Sequence, residues 1–501
     1  MDRELKRSLF LLAAVTFVTA WFSELFYFPD EHYQVLEFMS YKLGITPASE
    51  LPWEFSAHVR PWFQPLVYFL IAKPLMLMGV KDLFTIVLFL RLATGLLSLV
   101  SLALFARAAL STIEGDEEKR AFVRYLPLFG FLPYLFVRTS SETFTAAFFT
   151  IGLALTVNRR TTARLALAGL ICGLAFESRY QTAFMGLGLF AWLAVIARVK
   201  RTGLAAFLVG GLCAVLLGAL MDRWGYGFWV FAPWDYYHAQ ILEGVAVKIG
   251  GRVPTFAYLY LMPAQLFFAI TLVLMVAMTV MWWRNPRHPV TWVTLPFVVA
   301  HMALAHKEAR YLFPLAIMAT SFLVLGFSPR LPPGREWFVR LWGWRQSWAA
   351  KAVTAISLLG MAYFALYPFG VRPHMPMARY LYRHWPGTVY SFTNPFQSYP
   401  IFRPAGFRSE QLRGQHHLEV LLDRGPVYLV SQTPLPPPVP QGARVTLLYS
   451  EFPLTRFGYG QAGADYIRHY TAFDAKHRFL RLLPLYWYTL YRVERSVTQP
   501  G

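Results

Sequence analysis

The chain has 501 residues, of which 56% are hydrophobic, 17% aromatic and only 15% charged. This leaves too little polar surface to coat a water-soluble globule of this size, so the composition predicts a mostly helical, polytopic membrane protein. The formal net charge is +20, but the basic residues are scattered between apolar runs, whereas nucleic acid requires a clustered basic surface. We therefore expect the lipid bilayer as a partner, and no nucleic acid.

About eleven apolar runs of roughly 20 residues, the length that a bilayer core requires, follow one another along the chain. The first run follows the basic stretch MDRELKRS, has no small-residue cleavage site after it, and is predicted to be an uncleaved span. The segment Trp62 to Val80 is also apolar, but Pro65, Lys73 and Pro74 interrupt it. The predicted spans begin near Leu9, Leu83, Ala121, Thr143, Leu165, Tyr180, Gly203, Leu261, Val290, Tyr311 and Ala352.

The Lys and Arg content of each loop indicates its side of the membrane, because cytoplasmic loops carry the excess. If Trp62 to Val80 does not span, the basic loops share one side with the basic N-terminus; if it spans, they conflict with that terminus. We therefore predict an interfacial helix at Trp62 to Val80 on the outer surface and a cytoplasmic N-terminus. The basic loops contain Lys119, Arg120, Arg124, Arg159, Arg160, Arg164, Arg198, Lys200, Arg201, Arg284, Arg287, Arg330, Arg335, Arg340, Arg345 and Lys351.

Hydropathy falls from about Val371, where strand-like runs begin to alternate with helix-like ones. The runs TVYSF, VYLVS, VTLLY and YWYTLYRV have strand character, HHLEVLLDR has helical character, and PLPPPVP is predicted to be a stiff connector. These features predict a small α/β domain at residues 371–501, which parity places on the outer side. Residues 1–370 are the predicted membrane domain, with its first outer loop at residues 29–82.

An acidic pair follows the first span in the segment FPDEHYQVLE, where Asp30 and Glu31 precede His32 and Gln34. A carboxylate at this place is suited to act as a general base that takes the proton of an attacking hydroxyl group. Helix capping is the alternative, because acidic residues also stabilise the first turn of a helix. The spacing alone leaves both interpretations open.

A dense charge cluster separates two later spans, where His306, Lys307, Glu308 and Arg310 lie within five residues. Ionisable groups at membrane depth are costly and usually serve a site or pair with each other. Three potential cations around one carboxylate suit a phosphate leaving group, with Arg available for bidentate contact. The alternative is a solvated outer loop whose Lys and Arg side chains extend to the membrane surface.

Further charges lie at outer ends of spans, where Arg138 precedes Glu142 and Glu177 precedes Arg179. Each couple could belong to a site or form a structural ion pair. The loop DRWGYGFWVFAPWDYY, which holds Trp234 and Asp235, is rich in aromatic residues. Such rings form belts at the membrane interface, and they also stack on sugars and polyprenyl chains, so both roles stay open.

Several other chemistries lack the sequence patterns that they need. The chain has no Walker-type loop, no Rossmann glycine fingerprint and no HExxH segment, and its histidines and cysteines do not show zinc-like spacing. We therefore expect neither a nucleotide nor a nucleotide-sugar site. A transporter or lipid flippase is the rival class, but repeated halves and helices broken near the midplane, which transporters often show, are not evident.

Five segments in order, PDEHYQVLE, RTSSETF, ESRYQTA, GYGFWVFAPWDYYH and HKEARYLFPL, resemble the signature of glycosyltransferase family 22. These enzymes are polytopic mannosyltransferases of the GT-C fold that include the enzymes of glycosylphosphatidylinositol and N-glycan precursor assembly, and a bacterial homologue is one interpretation of this chain. The resemblance runs from about Phe28 to Pro314, and the PDE form is similar to the branch that builds glycosylphosphatidylinositol. The chain departs from many relatives at Tyr180, where they carry Pro.

The resemblance implies an inverting mannosyltransferase on the non-cytoplasmic face, with a GT-C fold of about eleven spans. Its donor would be polyprenyl-phosphate mannose, dolichyl in eukaryotes, its acceptor a glycan or glycolipid, and no metal or other cofactor is expected. Another polyprenyl-phosphate sugar, transferred for example to a lipid A-like acceptor, is the alternative. Asp30 would be the base and Glu31 its orienting neighbour. The implied phosphate- and substrate-binding residues are His306, Lys307, Arg310, Arg179, Arg138, Glu142, His32, Gln34, Trp234 and Asp235.

Overall fold

The computed structural model describes residues 2–24, 26–158, 160–265, 268–327, 348–366, 375–384, 387–393, 396–404, 406–431, 438–451 and 488–495. The predicted basic group between Arg330 and Arg345, the boundary at Val371 and most of PLPPPVP lie outside these residues. The chain divides into two compact units. The first comprises residues 1–23, 28–81 and 85–367, and the second comprises residues 24–27, 82–84 and 368–501.

The first unit is built from helices. Its α-helices are α1 Asp2–Phe22, α2 Pro29–Glu31, α3 Glu37–Lys42, α4 Trp53–Ser56, α5 Phe63–Leu77, α6 Leu83–Thr112, α7 Asp116–Tyr125, α8 Phe131–Phe136, α9 Ser141–Val157, α10 Thr162–Phe176, α11 Ala183–Val195, α12 Arg201–Tyr226, α13 Ala232–Tyr237, α14 Val245–Gly250, α15 Tyr258–Gln265, α16 Phe268–Arg284, α17 Pro289–Ala303, α18 Ala319–Gly326 and α19 Trp348–Leu366. Shorter 3₁₀ or π-helical segments include His32–Leu36, Leu126–Leu128, Tyr180–Thr182, His238–Leu242 and Ala309–Met318.

Four helical segments of the described chain are long and apolar enough to cross a membrane: Asp2–Phe22, Leu83–Thr112, Arg201–Tyr226 and Ala309–Gly326. Helix α12 exposes Leu212, Leu216 and Leu220, three leucines four residues apart on one face, each more than half accessible. An apolar stripe of this kind is suited to lipid. The shorter apolar helices are Phe63–Leu77, Ser141–Val157, Thr162–Phe176, Tyr180–Val195, Ile270–Arg284, Pro289–Ala303 and Thr354–Leu366. The mostly helical, membrane-type fold class predicted from composition is confirmed, whereas the number of spans stays a prediction.

The apolar run that begins near Ala121 does not form one helix, unlike the single span expected there. It is divided between α7, the 3₁₀ segment Leu126–Leu128 and α8. Pro127 lacks the amide hydrogen that an α-helix interior needs, which explains the break. Gly130, three residues after Pro127, lies so close to α19 that an added Cβ atom would be 2.5 Å from the carbonyl oxygen of Ser357.

Helices α10 and α12 cross with their backbones in contact. An added Cβ atom on Gly169 would lie 1.9 Å from the carbonyl oxygen of Phe207, and one on Gly210 would lie 2.0 Å from that of Ala166. Small residues that allow such close approach are typical of helix pairs in membranes. The crossing fixes the position of α10, and the chain continues from the end of α10 to Arg179.

In the second unit, the described residues form a five-stranded sheet of β1 Val389–Ser391, β2 Ser409–Gln411, β3 Val427–Ser431, β4 Ala443–Ser450 and β5 Thr489–Arg495, in the order β2-β1-β3-β5-β4. Strands β1 and β2 and strands β1 and β3 are parallel, whereas β5 is antiparallel to both β3 and β4. Leu418 and Leu422 of a helix pack with Leu429 and Val493 of the sheet to form a core. The α-helices among the described residues of this unit are α20 Met375–Arg383 and α21 Gln415–Leu422.

The strand-like and helix-like runs of the C-terminal sequence correspond to β1, α21, β3, β4 and β5, so the mixed α/β character is confirmed. The first two residues of YWYTLYRV lie outside the described part of the chain. Strand β2 was not predicted, because its sequence SEQ is short, polar and largely exposed. A buried apolar alternation, the signal that marks a strand, is therefore missing there.

Candidate active site

The acidic pair lies at the start of a helical segment that runs from Pro29 through the π-helical turn His32–Leu36 into α3. Pro29 occupies the first helical position, where its missing amide hydrogen costs nothing. The backbone amide of Phe28 donates to Glu31 Oε1 at 3.4 Å. Glu31 therefore caps the helix, whereas the carboxylate of Asp30 contacts an arginine that is distant in sequence. Glu31 thus fits the capping interpretation, and the role of Asp30 as general base stays a prediction.

A chain of four charged groups begins at Asp30. Arg310 Nη2 donates to Asp30 Oδ2 at 2.5 Å, and Arg310 Nη1 lies 3.4 Å from Glu142 Oε1. The same oxygen of Glu142 accepts a hydrogen bond from Arg179 Nη1 at 2.8 Å. Arg310 Nε also contacts Glu308. Groups from four distant parts of the sequence thus meet at one place.

Local structure directs each member of the chain toward this meeting point. Glu142 lies in the first turn of α9, whose N-cap Ser140 accepts a hydrogen bond from the amide of Thr143 at 3.3 Å. Arg179 follows α10 in an extended conformation, and Arg310 lies in the 3₁₀ segment Ala309–Met318. The site is therefore assembled where α9 begins and α10 ends.

Asp30 is the accessible end of this ion chain. Its side chain is 27% exposed, against 8% for Arg310 and 2% for Glu142. Burial disfavours the ionised carboxylate, but the positive charges of Arg310 and Arg60 outweigh it, so the pKa of Asp30 lies below its usual value. Asp30 therefore offers an ionised carboxylate that a substrate can reach.

A cavity of about 20 Å³, roughly enough for one water molecule, lies next to Asp30. Two of its lining residues, Gln34 and Arg60, interact with Asp30 through a hydrogen bond and through charge, respectively. Its wall carries amide, hydroxyl and guanidinium groups, which can form hydrogen bonds with hydroxyl groups. The lining residues are Gln34, Val35, Val59, Arg60, Pro61, Gln64, Pro65, Ser141, Ser178, Arg179, Tyr180, Gln181 and Tyr236.

Two of the predicted substrate-binding residues, Gln34 and Arg179, line the cavity, whereas the others, including His32 and Arg138, do not. His32 is fully buried and contacts Glu37, and its substrate-binding role stays a prediction. Arg138 Nη2 donates to both the carbonyl oxygen and the hydroxyl oxygen of Ser23, at 2.9 and 2.6 Å. The guanidinium of Arg138 also lies 4.0 Å from Glu31. Gln34, by contrast, lines the cavity as a substrate-binding residue would.

The ion pairs suggested by closeness in sequence are wrong. Glu142 pairs with Arg179 and Arg310, whereas Arg138 lies next to Glu31. Asp30 and Glu142 contact their arginine partners through long-range packing, whereas the contact between Arg310 and Glu308 joins residues two positions apart.

His306 and Lys307 lie beside the ion chain and have partners of their own. His306 Nε2 is 3.2 Å from Glu308 Oε1, and its Nδ1 is 3.0 Å from the carbonyl oxygen of Gly251. Lys307 Nζ donates to the carbonyl oxygen of Val253 at 3.3 Å. These contacts leave the phosphate-binding role of both residues a prediction.

The aromatic loop contributes to the cavity through a neighbour of the residues singled out in the sequence. Trp234 is 56% exposed, so a role in an interfacial belt and a role in substrate stacking both remain predictions, and Asp235 does not line the cavity. Tyr236 does line it and accepts a hydrogen bond from Gln181. Arg60 lies 5.8 Å from the centre of the Tyr236 ring.

Three residues of the cavity wall, Arg60, Gln64 and Tyr236, were not predicted as site residues from the sequence. Arg60 and Gln64 flank the start of the interrupted apolar segment, where a charged and an amide side chain in an otherwise apolar stretch were the available signal. Within the described residues, no group of three or more His, Cys, Asp or Glu side chains is arranged to hold a metal ion.

Curated relatives include the GPI alpha-1,2-mannosyltransferase 3 of Xenopus laevis, which is 24% identical over 324 residues, or 60% of this chain and 56% of that protein. The GPI mannosyltransferase 3 of Drosophila melanogaster is 24% identical over 316 residues, which cover 63% of this chain and 50% of that protein. The chain thus spans about half the length of the curated relatives that it matches.

Among solved structures, this chain is similar to ArnT from Cupriavidus metallidurans, determined in the apo state and bound to undecaprenyl phosphate. Both likenesses have a TM-score of 0.52 at 14% identity over 84% of this chain, and they cover 91% and 92% of ArnT, respectively. This shared architecture confirms the expected GT-C fold. The family model described as the Alg9-like mannosyltransferase family matches residues 8–383, which include every member of the ion chain. The chain belongs to the Alg9-like mannosyltransferase family.

Proposed function

We propose that this protein transfers mannose from a polyprenyl-phosphate donor to a hydroxyl group of a glycan or glycolipid acceptor, with inversion at the anomeric carbon. One observation carries the proposal: Arg310 holds the carboxylate of Asp30 at the accessible end of a buried ion chain, beside a small cavity lined in part by amide, hydroxyl and guanidinium groups. Membership of a mannosyltransferase family supports the sugar. The names of the frog and fly relatives support a GPI-type glycolipid acceptor, and ArnT bound to undecaprenyl phosphate supports the lipid donor.

In this reaction the oxygen of the acceptor hydroxyl attacks the anomeric carbon while the bond from that carbon to the phosphate oxygen breaks. The hydroxyl proton passes to the carboxylate of Asp30, and the electron pair of the broken bond leaves with the polyprenyl phosphate. A carboxylate of low pKa is a weak base, so the proton is transferred as the new bond forms. Asp30 then returns the proton to water.

Arg310 has two tasks in this proposal. It keeps Asp30 ionised and oriented through the contact between Nη2 and Oδ2. With His306 and Lys307 it also belongs to the proposed phosphate-binding set. Because its guanidinium already contacts Asp30, Glu142 and Glu308, phosphate binding by Arg310 requires that the phosphate replace one of these carboxylates.

Helix direction supports a site on the non-cytoplasmic side. Helix α9 begins next to Glu142 and ends at Val157, and α10 returns from Thr162 toward Arg179. The basic loop between these helices therefore lies a helix length from the site, about 25 Å at 1.5 Å per residue. Basic loops favour the cytoplasm. We propose that the site and the C-terminal unit lie on the opposite, outer side, with the N-terminus cytoplasmic.

The test uses the full-length protein purified in nanodiscs, with labelled polyprenyl-phosphate mannose and a panel of glycan and glycolipid acceptors. We expect mannose to move to at least one acceptor. Asp30→Asn keeps the shape of the side chain but removes its basicity, so we expect turnover to fall at least ~100-fold while the donor still binds.

The matched control is Asp116→Asn, which changes an acidic residue that is 80% exposed at the start of α7. It should retain full turnover. Transfer of a different lipid-linked sugar would contradict the proposed donor, and near-normal turnover in Asp30→Asn would remove Asp30 from the catalytic role.

A further inference from the structure

Arg60 differs from the other arginines around the cavity in how little of its guanidinium is occupied. Its side chain is 19% exposed, and Nη2 is 3.6 Å from Glu54 Oε1. That oxygen already accepts a hydrogen bond from the amide of Gln34 at 2.9 Å. Arg60 Nε, like Arg179 Nε, is buried and has no hydrogen-bond partner among the residues that the structure describes, so the distinguishing feature of Arg60 is the lack of a carboxylate within hydrogen-bonding distance. Arg179 and Arg310, in contrast, both contact carboxylates closely.

The backbone around Arg60 is held firmly although it lies in a connection between α4 and α5. Tyr226 Oη donates to the carbonyl oxygen of Arg60 at 2.8 Å and accepts from its amide at 3.3 Å. The amide of Trp62 donates to Asp222 Oδ1 at 2.9 Å. Asp222 and Tyr226 are one turn apart on α12, so a single helix face fixes the connection. Arg60 is thereby placed at the cavity wall.

The position of Arg60 relative to Asp30 indicates what it can bind. Arg60 lines the cavity, and Gln34 of the same cavity wall forms a hydrogen bond with Asp30. The positive charge of Arg60 also acts on Asp30. A largely buried guanidinium with an unused donor is stabilised by an anionic partner. The planar fork of arginine suits the oxygens of a phosphate group, and the proposed substrates contain one.

We infer that Arg60 binds the phosphate group of a substrate in this cavity, and that Asp222 and Tyr226 of α12 are positioning residues that direct Arg60 there. The inference rests on the proposed function for the presence of phosphate. The phosphate could belong to the lipid donor or to a phosphate-bearing acceptor. In either case Arg60 would complement the more buried Arg310, which contacts Asp30 directly.

The test measures binding of undecaprenyl phosphate, which carries no sugar, to the full-length protein in nanodiscs. Charge-assisted hydrogen bonds are strong enough that we expect Arg60→Gln to weaken binding at least ~10-fold. Arg60→Lys, which keeps the charge but loses the fork, should recover part of this loss. Tyr226→Phe removes the contact to the backbone of Arg60 and should give a smaller loss in the same direction.

Two variants separate binding from a structural role. Arg223→Gln changes an exposed arginine one helix residue after Asp222 and should bind like the unchanged protein. Glu54→Gln removes the carboxylate nearest to Arg60 but leaves the guanidinium, so phosphate affinity should be kept or increased. A loss in Glu54→Gln as large as in Arg60→Gln would show that only the ion pair matters and would overturn the inference.

Steady-state kinetics identify the source of the phosphate. A donor contact raises the donor KM in Arg60→Gln, whereas an acceptor contact leaves undecaprenyl phosphate binding unchanged and raises the KM only of phosphate-bearing acceptors. Either result supports phosphate binding by Arg60. The inference would be refuted if undecaprenyl phosphate binding, the donor KM and the acceptor KM were all unchanged in Arg60→Gln. The binding assay needs no sugar transfer, so Arg60-dependent binding without mannose transfer would refute the proposed function alone.

Discussion

Asp30 and Glu31 are adjacent carboxylates with different physical tasks. Successive residues of a helix leave its axis about 100° apart, so the two side chains cannot share one partner. Asp30 contacts Arg310 at the accessible end of the ion chain, and Glu31 accepts from the amide of Phe28 near Arg138. Their burial differs in the same sense, 27% against 3% exposure. A substrate can therefore reach Asp30 and not Glu31.

This division predicts different defects for conservative changes at the two positions. Glu31→Gln keeps a side-chain oxygen that can accept from Phe28, so we expect a turnover loss below about tenfold, against ~100-fold or more for Asp30→Asn. Glu31→Ala removes the cap and should destabilise the protein by about 0.5–2 kcal/mol. Turnover assays and thermal unfolding of the three variants check this. An inactive Glu31→Gln alongside an active Asp30→Asn would assign the catalytic role to Glu31.

The pH dependence of the reaction follows from the charges around Asp30. Because Arg310 and Arg60 hold the pKa of Asp30 below its usual value, the base is ionised at neutral pH, and activity falls only as the solution is acidified through that lowered pKa. Arg310→Gln removes one of these charges, so the acid limb of kcat/KM should move to higher pH. Arg223→Gln should leave the limb in place. An unmoved limb in Arg310→Gln would mean that another group sets it.

At the scale of helices, the site depends on where elements begin and end. The apolar runs that begin near Thr143 and Leu165 predicted α9 and α10. The segments that resemble the family signature identified the polar residues at the ends of these two helices. What sequence could not supply was the pairing, since Glu142 meets Arg179 and Arg310 through packing of distant helices. Arg60 was missed for the same reason: its importance comes from contacts with α12, about 160 residues away along the chain.

The crossing of α10 and α12 gives a prediction with a neighbouring control. An added Cβ atom on Gly210 would lie 2.0 Å from the carbonyl oxygen of Ala166, whereas one on Gly211 would be 3.7 Å from that of Gly169. Gly210→Ala should therefore destabilise the protein by about 1–3 kcal/mol and lower turnover, because α10 leads to Arg179. Gly211→Ala should be near neutral. Thermal unfolding in detergent compares them, and equal stability of the two variants would contradict the packing.

At the scale of the whole molecule, composition identified the membrane class, and five short segments identified the family to which the chain belongs. Their success has a physical basis, because lipid imposes long apolar runs and substrate chemistry imposes fixed polar groups. The break after Ala121 was not predicted, because a proline within an apolar run does not by itself show whether a helix kinks or ends. Strand β2 was not predicted, because its residues bury little apolar surface.

The side of the membrane on which the site lies can be tested with single cysteines. Native Cys172 is buried and Cys213 is exposed, so Cys213→Ala provides the background. Lys81 is exposed and follows α5, the predicted interfacial helix, whereas Arg201 is exposed at the opposite end of α12 from Tyr226. Helix α12 is about 39 Å long from Arg201 to Tyr226, which is enough to cross a bilayer core.

We expect Lys81→Cys to react with a membrane-impermeant maleimide added to the outer side of oriented vesicles, and Arg201→Cys to react only after the vesicles are opened. The physical reason is the excess of basic residues in the loops at the Arg201 end, which favours their retention in the cytoplasm. Reaction of both cysteines from the outer side would show leaky or mixed vesicles and calls for the orientation to be fixed first. Reaction of Arg201→Cys alone from outside would reverse the topology and place the cavity, with Asp30 and Arg60, on the cytoplasmic face.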